Sequence, residues 1–381
     1  MLEETMTPSE RIEAAIRLEK VDRIPIVPFL DFTLPSRYAG LTQQEAWAGM
    51  FRGVEVLQKL YDEVGGWDAM YHATLGAFTS WAPPFFALRA ARPGKETPVN
   101  YEIQYLETEV MEFEDYDKLI KVGWNEFWPE LIKRIFGFDR EKISQLRGEW
   151  FDWHVRDSEA WKKKGVPVLI GAAVTGPMFL LSIYRSYRKF FLDLYYHADV
   201  VGAAIEAITP DLIDFAIATT KKVGILGADI IINRGSGFWN SLSIFEQFKW
   251  PYVKRIVKTL VDEGITPYLH LDSVWDDNLP YFAKDLPKAK CVAHFDGTTN
   301  IFKAKEILRG HMCIMGDVSA GMLCTSTPQK VEAYCKKLID IVGQDSGFIL
   351  SSGCEAPVNA TLDNFKAMVD APKKYLPPVG R

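Results

Sequence analysis

Cysteine is scarce in this sequence, and long apolar stretches are missing. The five cysteines are odd in number and all lie between residues 291 and 354, a pattern that suits a reducing compartment and not a disulfide framework. No apolar run reaches the ~20 residues that a membrane span needs. The acidic start Met1–Thr5 has no apolar core that would make it a secretory signal. We therefore expect a cytoplasmic protein without membrane contacts.

Charge and motif content exclude several further classes. Lysine and arginine together number 44 and aspartate and glutamate 50, so the net charge is −6, and no basic block or basic helix face is present. This composition argues against a nucleic-acid partner. The sequence also lacks a G-x-S-x-G elbow and a P-loop, so acyl transfer and nucleotide triphosphate chemistry have no motif to support them.

The sequence does contain a regular alternation of apolar strands and helical segments. From residue 166 onward no hairpin signal interrupts it, which indicates a parallel sheet, and the number of strands favours a closed (β/α)8 TIM barrel. The 381 residues fit one barrel domain spanning 1–381. The eight predicted strands are residues 24–29, 67–72, 166–171, 228–233, 265–272, 291–296, 312–317 and 348–355.

Residues 78–165 differ in character and are predicted to be an insertion in the barrel. They are rich in tryptophan, proline, phenylalanine, glutamate and lysine, with weak periodicity. We expect a short hairpin near 98–113 and two or three helices. A lid over the barrel mouth is an alternative role for this segment. Its aromatic side chains are interpreted as core: Trp81, Phe85, Phe86, Trp124, Trp128, Trp150 and Trp153.

Two metal-competent side chains end the strand at 265–272. His270 and Asp272 are two residues apart, so they share one face of that strand. Cys354 follows another predicted strand, and the carboxyl ends of parallel strands converge at the mouth of a barrel. A catalytic zinc takes three such ligands and keeps one position open. The alternative is that Asp272 bonds a loop and that Cys354 is simply buried.

Three other polar residues end predicted strands. Asn233, Asp296 and Asp317 are candidates for binding substrate, and the alternative for each is a hydrogen bond that caps the following loop. His294 precedes Asp296 by two residues and so faces the same side. We interpret it as a support for the site and not as a ligand.

Five segments together resemble the uroporphyrinogen decarboxylase superfamily, whose members are single-domain (β/α)8 barrels. The resemblance covers roughly residues 8–75 and 166–378, and residues 78–165 are where divergence is expected. The segments that carry it are Ala172–Met178, the 227–252 run ending Phe248–Tyr252, the His270 strand, Cys313–Val318, and Ser352–Pro357 with Asn359.

Two activities within this superfamily compete. Uroporphyrinogen decarboxylases carry an R-Q-A-G-R-Y segment that binds the carboxylates of their substrate, but Phe29–Tyr38 at the matching place lacks the arginine pair and includes an acid. The corrinoid-dependent methyltransferases have His-x-Cys on one strand and a later Gly-Cys as zinc ligands. The resemblance therefore implies a zinc site at His270 and Cys354, with Asp272 standing where that branch has its first cysteine.

Replacing a thiolate by a carboxylate leaves a harder zinc centre that is better matched to an oxygen ligand. We therefore expect a methyltransferase that demethylates a small methylated substrate, an aromatic methyl ether above all. The methyl group would pass to the Co(I) corrinoid (cobalamin) of a partner protein, because no cobalamin-binding segment is visible here. Phe29 and Trp239 are expected to contribute to a slot for the aromatic ring.

Other readings of the same residues stay open. Within the superfamily they are methyl transfer from methylcobalamin to a thiol or a pterin, and decarboxylation of a porphyrinogen. From another class, the barrel could be a small-molecule binder without catalysis. A homodimer is a candidate assembly.

Overall fold

Short strands and longer helices alternate along the chain. The computed structural model describes residues 4–47, 50–72 and 89–376. The strands are β1 (Ala90–Ala91), β2 (Gln104–Tyr105), β3 (Ala172–Thr175), β4 (Gly227–Ile231), β5 (Thr266–Leu271), β6 (Val292–Phe295), β7 (Cys313–Val318) and β8 (Phe348–Ser352).

Helices precede, follow and connect these strands. Within the three described ranges, none of them has both the length and the apolar character required to cross a membrane. The helices are α1 (Pro8–Ile16), α2 (Thr33–Tyr38), α3 (Gln43–Trp47), α4 (Met50–Glu63), α5 (Asp115–Val122), α6 (Trp124–Phe136), α7 (Arg140–Lys163), α8 (Pro177–Tyr184), α9 (Tyr187–Tyr196), α10 (Ala198–Val223), α11 (Leu242–Ile244), α12 (Trp250–Asp262), α13 (Leu279–Asp285), α14 (Ile301–Leu308), α15 (Ala320–Thr325), α16 (Pro328–Ile341) and α17 (Leu362–Lys374), with one π-helical turn at Phe245–Lys249.

Strands β3 to β8 form one parallel sheet in chain order, and two earlier segments close it into a barrel. Ile26 bridges Leu350 of β8 in parallel. The backbone amide of Asp68 then donates to the carbonyl of Ile26 over 2.8 Å. Met70 bridges Val168, which lies just before β3. The hydrogen bonds therefore run around a closed ring, which confirms the predicted (β/α)8 barrel.

The third predicted strand, residues 166–171, is not one regular strand with the predicted bounds. It pairs first with the segment that contains Met70 and then with β4. The amide of Leu169 donates to the carbonyl of Met70 over 2.9 Å, and the amide of Gly171 donates to the carbonyl of Gly227 over 2.8 Å. The regular ladder with β4 begins only at Ala172. Extended backbone therefore continues beyond the predicted end of this strand.

Two apolar layers stabilise the barrel. The inner layer fills the barrel with large side chains from successive strands, as TIM barrels do, and the outer layer packs the helices against the strands. Because both faces of the strands are covered, the strands are mostly apolar and read as nearly continuous apolar runs in the sequence. The inner layer includes Val27, Tyr71, Ile170, Tyr268, Met315 and Ile349.

The segment predicted as an insertion contributes a short strand pair and three helices. β1 pairs antiparallel with β2, and α5, α6 and α7 follow. Trp124 and Trp128 are buried in the same continuous core as the outer face of the barrel, so these helices are not packed as a separate body. Trp150 is also buried. The predicted core residues Trp81, Phe85 and Phe86 lie outside the described residues.

A buried ionic cluster joins α1 to the first two barrel segments. Arg11 donates to Asp68 over 2.6 Å and Arg23 donates to the same carboxylate over 2.7 Å. Asp68 also accepts the backbone amide of Ile26 at 2.8 Å. All three charged side chains are buried. Arg11 also pairs with Asp22 and Arg23 with Glu4, so removing Asp68 leaves each buried guanidinium group with fewer ionic partners.

We expect Asp68→Asn to lower the free energy of unfolding by up to about 3–5 kcal/mol, because both guanidinium groups lose the buried carboxylate that they share and keep only Asp22 and Glu4 as partners. Urea unfolding followed by circular dichroism measures the change. Glu13→Gln is the matched control, since Glu13 pairs with Arg17 on the surface, where its side chain is 63% exposed, and such pairs contribute less than about 1 kcal/mol. Equal stability of the two variants would contradict a structural role for the cluster.

Candidate functional site

The three side chains predicted to bind a metal lie together at the mouth of the barrel. His270 Nε2 is 3.1 Å from Asp272 Oδ1 and 3.8 Å from Cys354 Sγ. One ligand atom from each residue lies within 4.8 Å of the others. Histidine nitrogen, cysteine sulfur and carboxylate oxygen are the donors that zinc accepts. The arrangement can therefore hold a small metal cation.

Strand register and one glycine bring these residues together from distant parts of the chain. His270 is paired with Ile231 of β4 and with His294 of β6, and Asp272 follows two residues later. Cys354 comes from the loop after β8. There a Cβ on Gly353 would lie only 2.4 Å from the carbonyl oxygen of Asp296. A side chain at residue 353 would thus push the Cys354 loop away from the site.

A second histidine determines which nitrogen of His270 is available. His294 Nε2 is 3.0 Å from the carbonyl of Ser352, and burial together with the positive His270 lowers the pKa of His294 to about 3. The ring of His294 is therefore neutral, and because a carbonyl only accepts, its proton is on Nε2. Its Nδ1 then accepts from His270 Nδ1, 3.1 Å away. A neutral His270 is left with its Nε2 lone pair directed at Asp272 and Cys354.

Asp272 is held from its other side by Asn233. Asn233 Nδ2 donates to Asp272 Oδ2 over 2.6 Å, so the two carboxylate oxygens have different partners. Burial raises the pKa of Asp272, but His270 and Asn233 outweigh that effect and lower it. For His270, burial lowers the pKa, but Asp272 and Cys354 raise it well above its ordinary value. The site therefore attracts a positive charge, either a proton or a metal ion.

Lys249 is a buried support that the sequence analysis did not identify. It lies in the π-helical turn, donates to the carbonyl of Asn233 over 2.9 Å and also donates to the carbonyl of Ile232. Burial lowers the pKa of Lys249 well below its ordinary value. Since π-turns are frequent at functional sites, the turn is the signal that the structure adds. Lys249 positions the loop that carries Asn233.

Two carboxyl groups next to Cys354 were also missed. The amide of Thr33 donates to Asp31 over 2.6 Å, and its hydroxyl donates to Glu355 over 3.1 Å. Burial raises the pKa of Asp31, and burial together with Asp31 raises the pKa of Glu355 well above its ordinary value. The two carboxyl groups therefore form an acidic wall beside Cys354.

Aromatic side chains line the inner side of the site. The ring of Phe29 lies edge-on to His270, with centroids 5.4 Å apart. Tyr71 packs against Phe29 at 4.9 Å and donates its hydroxyl to Asp229 over 3.0 Å. Burial raises the pKa of Asp229 to about 6. Phe29 thus lies against His270, and its expected part in a slot for an aromatic ring stays a prediction.

A cavity of about 410 Å³ adjoins the candidate metal site at Asp272. Asp272, Asn233 and Trp239 all line it, and so do Tyr105–Thr108 from the segment predicted as an insertion. Its size falls in the usual range for small-molecule sites. Phe179 adds a further aromatic ring to its wall. The structure therefore brings Asn233, Trp239 and Asp272 to one cavity.

The remaining predicted residues, Asp296 and Asp317, are not among the described residues that line this cavity. Asp296 accepts the amide of Ser273 at 2.9 Å and the amide of Thr298 at 2.8 Å. Asp317 accepts the hydroxyl of Tyr334 at 2.7 Å, and burial raises its pKa to about 6. Asp296 thus braces two loops and Asp317 holds helix α16, and the contact of either carboxylate with substrate stays a prediction.

Comparison with known proteins identifies relatives of two kinds. The model of the uroporphyrinogen decarboxylase (URO-D) family matches residues 154–375. A methylcobamide:CoM methyltransferase, MtbA of Methanosarcina mazei, is 24% identical over 380 residues, which are 97% of this chain and 98% of the relative. A uroporphyrinogen decarboxylase of Flavobacterium johnsoniae is 24% identical over 132 residues, or 34% of this chain and 36% of the relative.

A solved structure supports the same fold. The structure of a methyltransferase from Methanosarcina mazei aligns with a TM-score of 0.69 at 17% identity, over 97% of this chain and 99% of that chain. The superfamily resemblance seen in the sequence is thus confirmed. Similarity to a methyltransferase extends over the full length, whereas similarity to a decarboxylase covers about a third.

We expect His294→Leu to weaken zinc binding by about 10–100-fold while all three candidate ligands remain, because His270 loses the partner that orients its ring. Competition with a fluorescent zinc chelator measures the affinity. His311→Gln is the control, since His311 bonds the carbonyl of Leu286, before the start of β7 and far from the mouth. Unchanged affinity in His294→Leu would refute the hydrogen-bond relay.

Proposed function

The chain belongs to the uroporphyrinogen decarboxylase (URO-D) family, and on that premise we propose that it is a zinc-dependent methyltransferase that works with a corrinoid protein. Its substrate would be a small methylated molecule, and an aromatic methyl ether fits the site best. The reaction would be O-demethylation. The corrinoid would be carried by a partner protein that docks over the barrel mouth.

The observation that carries this proposal is the mixed donor set of His270, Asp272 and Cys354, which converges within 4.8 Å. Three protein ligands with room for a fourth is the arrangement of a catalytic zinc site. The hydrogen bond that His270 donates to His294 supports it, because metal-binding histidines donate their other nitrogen to a neighbouring acceptor. The residues present therefore fit a zinc ion.

Zinc bound here would supply a Lewis acid that stabilises negative charge on the leaving oxygen. In O-demethylation the C–O bond of the ether would break with its electron pair left on the phenolic oxygen, and the Co(I) corrinoid of the partner protein would supply the electron pair that takes up the methyl group. Asp272 makes the set harder than one with two thiolates and so favours an oxygen substrate.

Other residues of the chain would hold the substrate. Asn233 fixes Asp272 in its orientation over 2.6 Å, so one carboxylate oxygen stays directed at the site. Trp239 and Phe179 give the adjoining cavity aromatic walls that suit a flat ring. Phe29 covers the inner side of His270 and keeps water away from it. These contacts support an arene as substrate.

The runner-up is methyl transfer from a methylcobamide to a thiol. It is favoured by the full-length similarity to methylcobamide:CoM methyltransferases. The same barrel, zinc ligands and corrinoid partner would serve both reactions, and they differ in whether the fourth zinc position takes oxygen or sulfur. Asp272 is the residue that separates them.

Porphyrinogen decarboxylation is less well supported. The segment that would need arginines instead places the buried Asp31 beside Glu355. A substrate with many carboxylates would be repelled by this acidic wall. Similarity to the decarboxylase from Flavobacterium johnsoniae covers 34% of this chain.

Metal content is the first test. We expect about one zinc per chain in the purified protein, with loss of that zinc in Cys354→Ala and in Asp272→Ala. Elemental analysis measures it. Cys324→Ala and Asp340→Ala are the controls, because neither residue belongs to the candidate donor set. A protein without zinc after zinc supplementation would refute the proposal.

Exchanging the unusual ligand is the second test. We expect Asp272→Cys to retain zinc but to lower ether demethylation at least about tenfold relative to methyl transfer to a thiol, because a second thiolate softens the centre. Assays with a Co(I) corrinoid protein and a methoxylated arene, and with a methylated corrinoid protein and a small thiol, measure the ratio. A ratio unchanged by the substitution would show that Asp272 does not determine the preference for an ether over a thiol.

A further inference from the structure

One positive side chain lies in the cavity that adjoins the candidate metal site at Asp272. Arg234 lines this cavity together with Asp272, and it is the only arginine or lysine among the described lining residues. Its side chain is 27% exposed, so it is accessible from the cavity but largely removed from bulk water. A charge in such a place is screened less than one on the surface.

Aromatic rings hold the guanidinium group in place. Its central carbon is 5.7 Å from the ring centroids of both Phe179 and Tyr187. Tyr187 in turn packs edge-on against Trp239, with centroids 5.3 Å apart. Stacking of this kind stabilises an arginine without using its N–H groups.

Hydrogen bonding leaves part of the guanidinium fork available. Nη1 donates to the carbonyl of Ser182 over 3.1 Å. Nη2 lies 3.6 Å from Glu107, which is beyond good hydrogen-bond distance, and the Glu107 side chain is itself 53% exposed. A guanidinium group has five N–H donors. As far as the described residues show, the guanidinium group can therefore still donate two parallel hydrogen bonds to an anion.

The loop that carries Arg234 is rigid before any ligand binds. Arg234 adopts a φ of 54°, which is uncommon for a residue with a side chain. Its carbonyl accepts from Asn240 over 2.9 Å, and Lys249 holds the preceding carbonyl of Asn233. Unusual backbone conformations that the surroundings enforce are found preferentially at functional sites.

We propose that Arg234 binds an anionic head group, a carboxylate or a sulfonate, on the small molecule whose other end reaches His270, Asp272 and Cys354. This inference rests on the proposed function and narrows its substrate class. Two sources share the chemistry: a methoxylated benzoate as methyl donor, and a short thiol sulfonate as methyl acceptor. Both place the anion at one end and the reacting oxygen or sulfur at the other.

The charged residues around the cavity favour an anion at the Arg234 end of the substrate. Asp272 and Glu107 are the other charged residues that line it. Asp272 is already engaged by His270 and Asn233. Glu107 competes with the ligand for Arg234 through one carboxylate oxygen, and its other oxygen accepts the backbone amide of Tyr187 over 2.5 Å. An anionic substrate would displace this weak pair and gain a two-point contact.

Calorimetric titration of zinc-loaded protein tests the proposal with matched probes. The anionic probe 4-methoxybenzoate should bind about 10–100-fold more tightly than neutral 4-methoxybenzyl alcohol. Arg234→Gln should remove this preference, because it should weaken binding of the anionic probe and leave binding of the neutral probe unchanged. Arg234→Lys should restore part of it, because lysine keeps the charge without the fork. The second pair, 2-mercaptoethanesulfonate and 2-mercaptoethanol, repeats the comparison for a thiol.

Dependence on Arg234 in the first pair identifies the benzoate source, and dependence in the second identifies the thiol source. Dependence in neither pair would overturn the proposal. So would equal weakening of charged and neutral probes, which would make Arg234 a brace for the cavity wall. Glu107→Gln is the matched control. It should raise the affinity for the anionic probe, because it removes the carboxylate that competes for Arg234. Weaker anion binding in that variant would also count against the proposal.

The titration separates this proposal from the proposed function. An anion preference that depends on Arg234, without any methyl transfer, would contradict the reaction and leave the head-group site intact. Methyl transfer without an anion preference would support the reaction and contradict the head-group site. Thermal melting of each Arg234 variant, expected to match that of the unsubstituted protein, excludes misfolding as the cause of lost binding.

Discussion

Closure of the parallel barrel is the constraint on which the rest of this structure depends. Ile26 pairs with Leu350 of β8, so the first segment of the chain is hydrogen-bonded to the last strand. All carboxyl ends of the strands then lie on one rim. Only in a closed ring can His270 on β5 and Cys354 beyond β8 come within 3.8 Å of one another.

Burial determines the protonation of the polar groups that converge at this rim. His294, Lys249 and Asp229 are fully buried polar groups around the rim, and burial shifts the pKa of each toward its neutral form. The neutral state of His294 dictates the tautomer of its neighbour His270. A chain of hydrogen bonds that begins at the carbonyl of Ser352 thus prepares a lone pair at the site.

The proposed specificity depends on Asp272 and Arg234. In the proposed site Asp272 would put an oxygen ligand where the superfamily resemblance implies a thiolate, and so would shift the expected leaving group from sulfur toward oxygen. Arg234 places a positive charge in the cavity that Asp272 lines. Asp31 and Glu355 form an acidic pair beside Cys354 and are not among the described residues that line that cavity.

The sequence by itself determined the barrel and the rim residues with short-range signals. Apolar runs mark buried parallel strands because both faces of each strand are covered, and the two-residue period puts His270 and Asp272 on one face. Only the tertiary structure decided which rim residues meet. The contacts of His270 with Cys354, of Arg234 with Glu107, and of Asp296 with the Ser273 amide join residues far apart in sequence. Such distances depend on strand register and barrel closure, and no local pattern of residues records them.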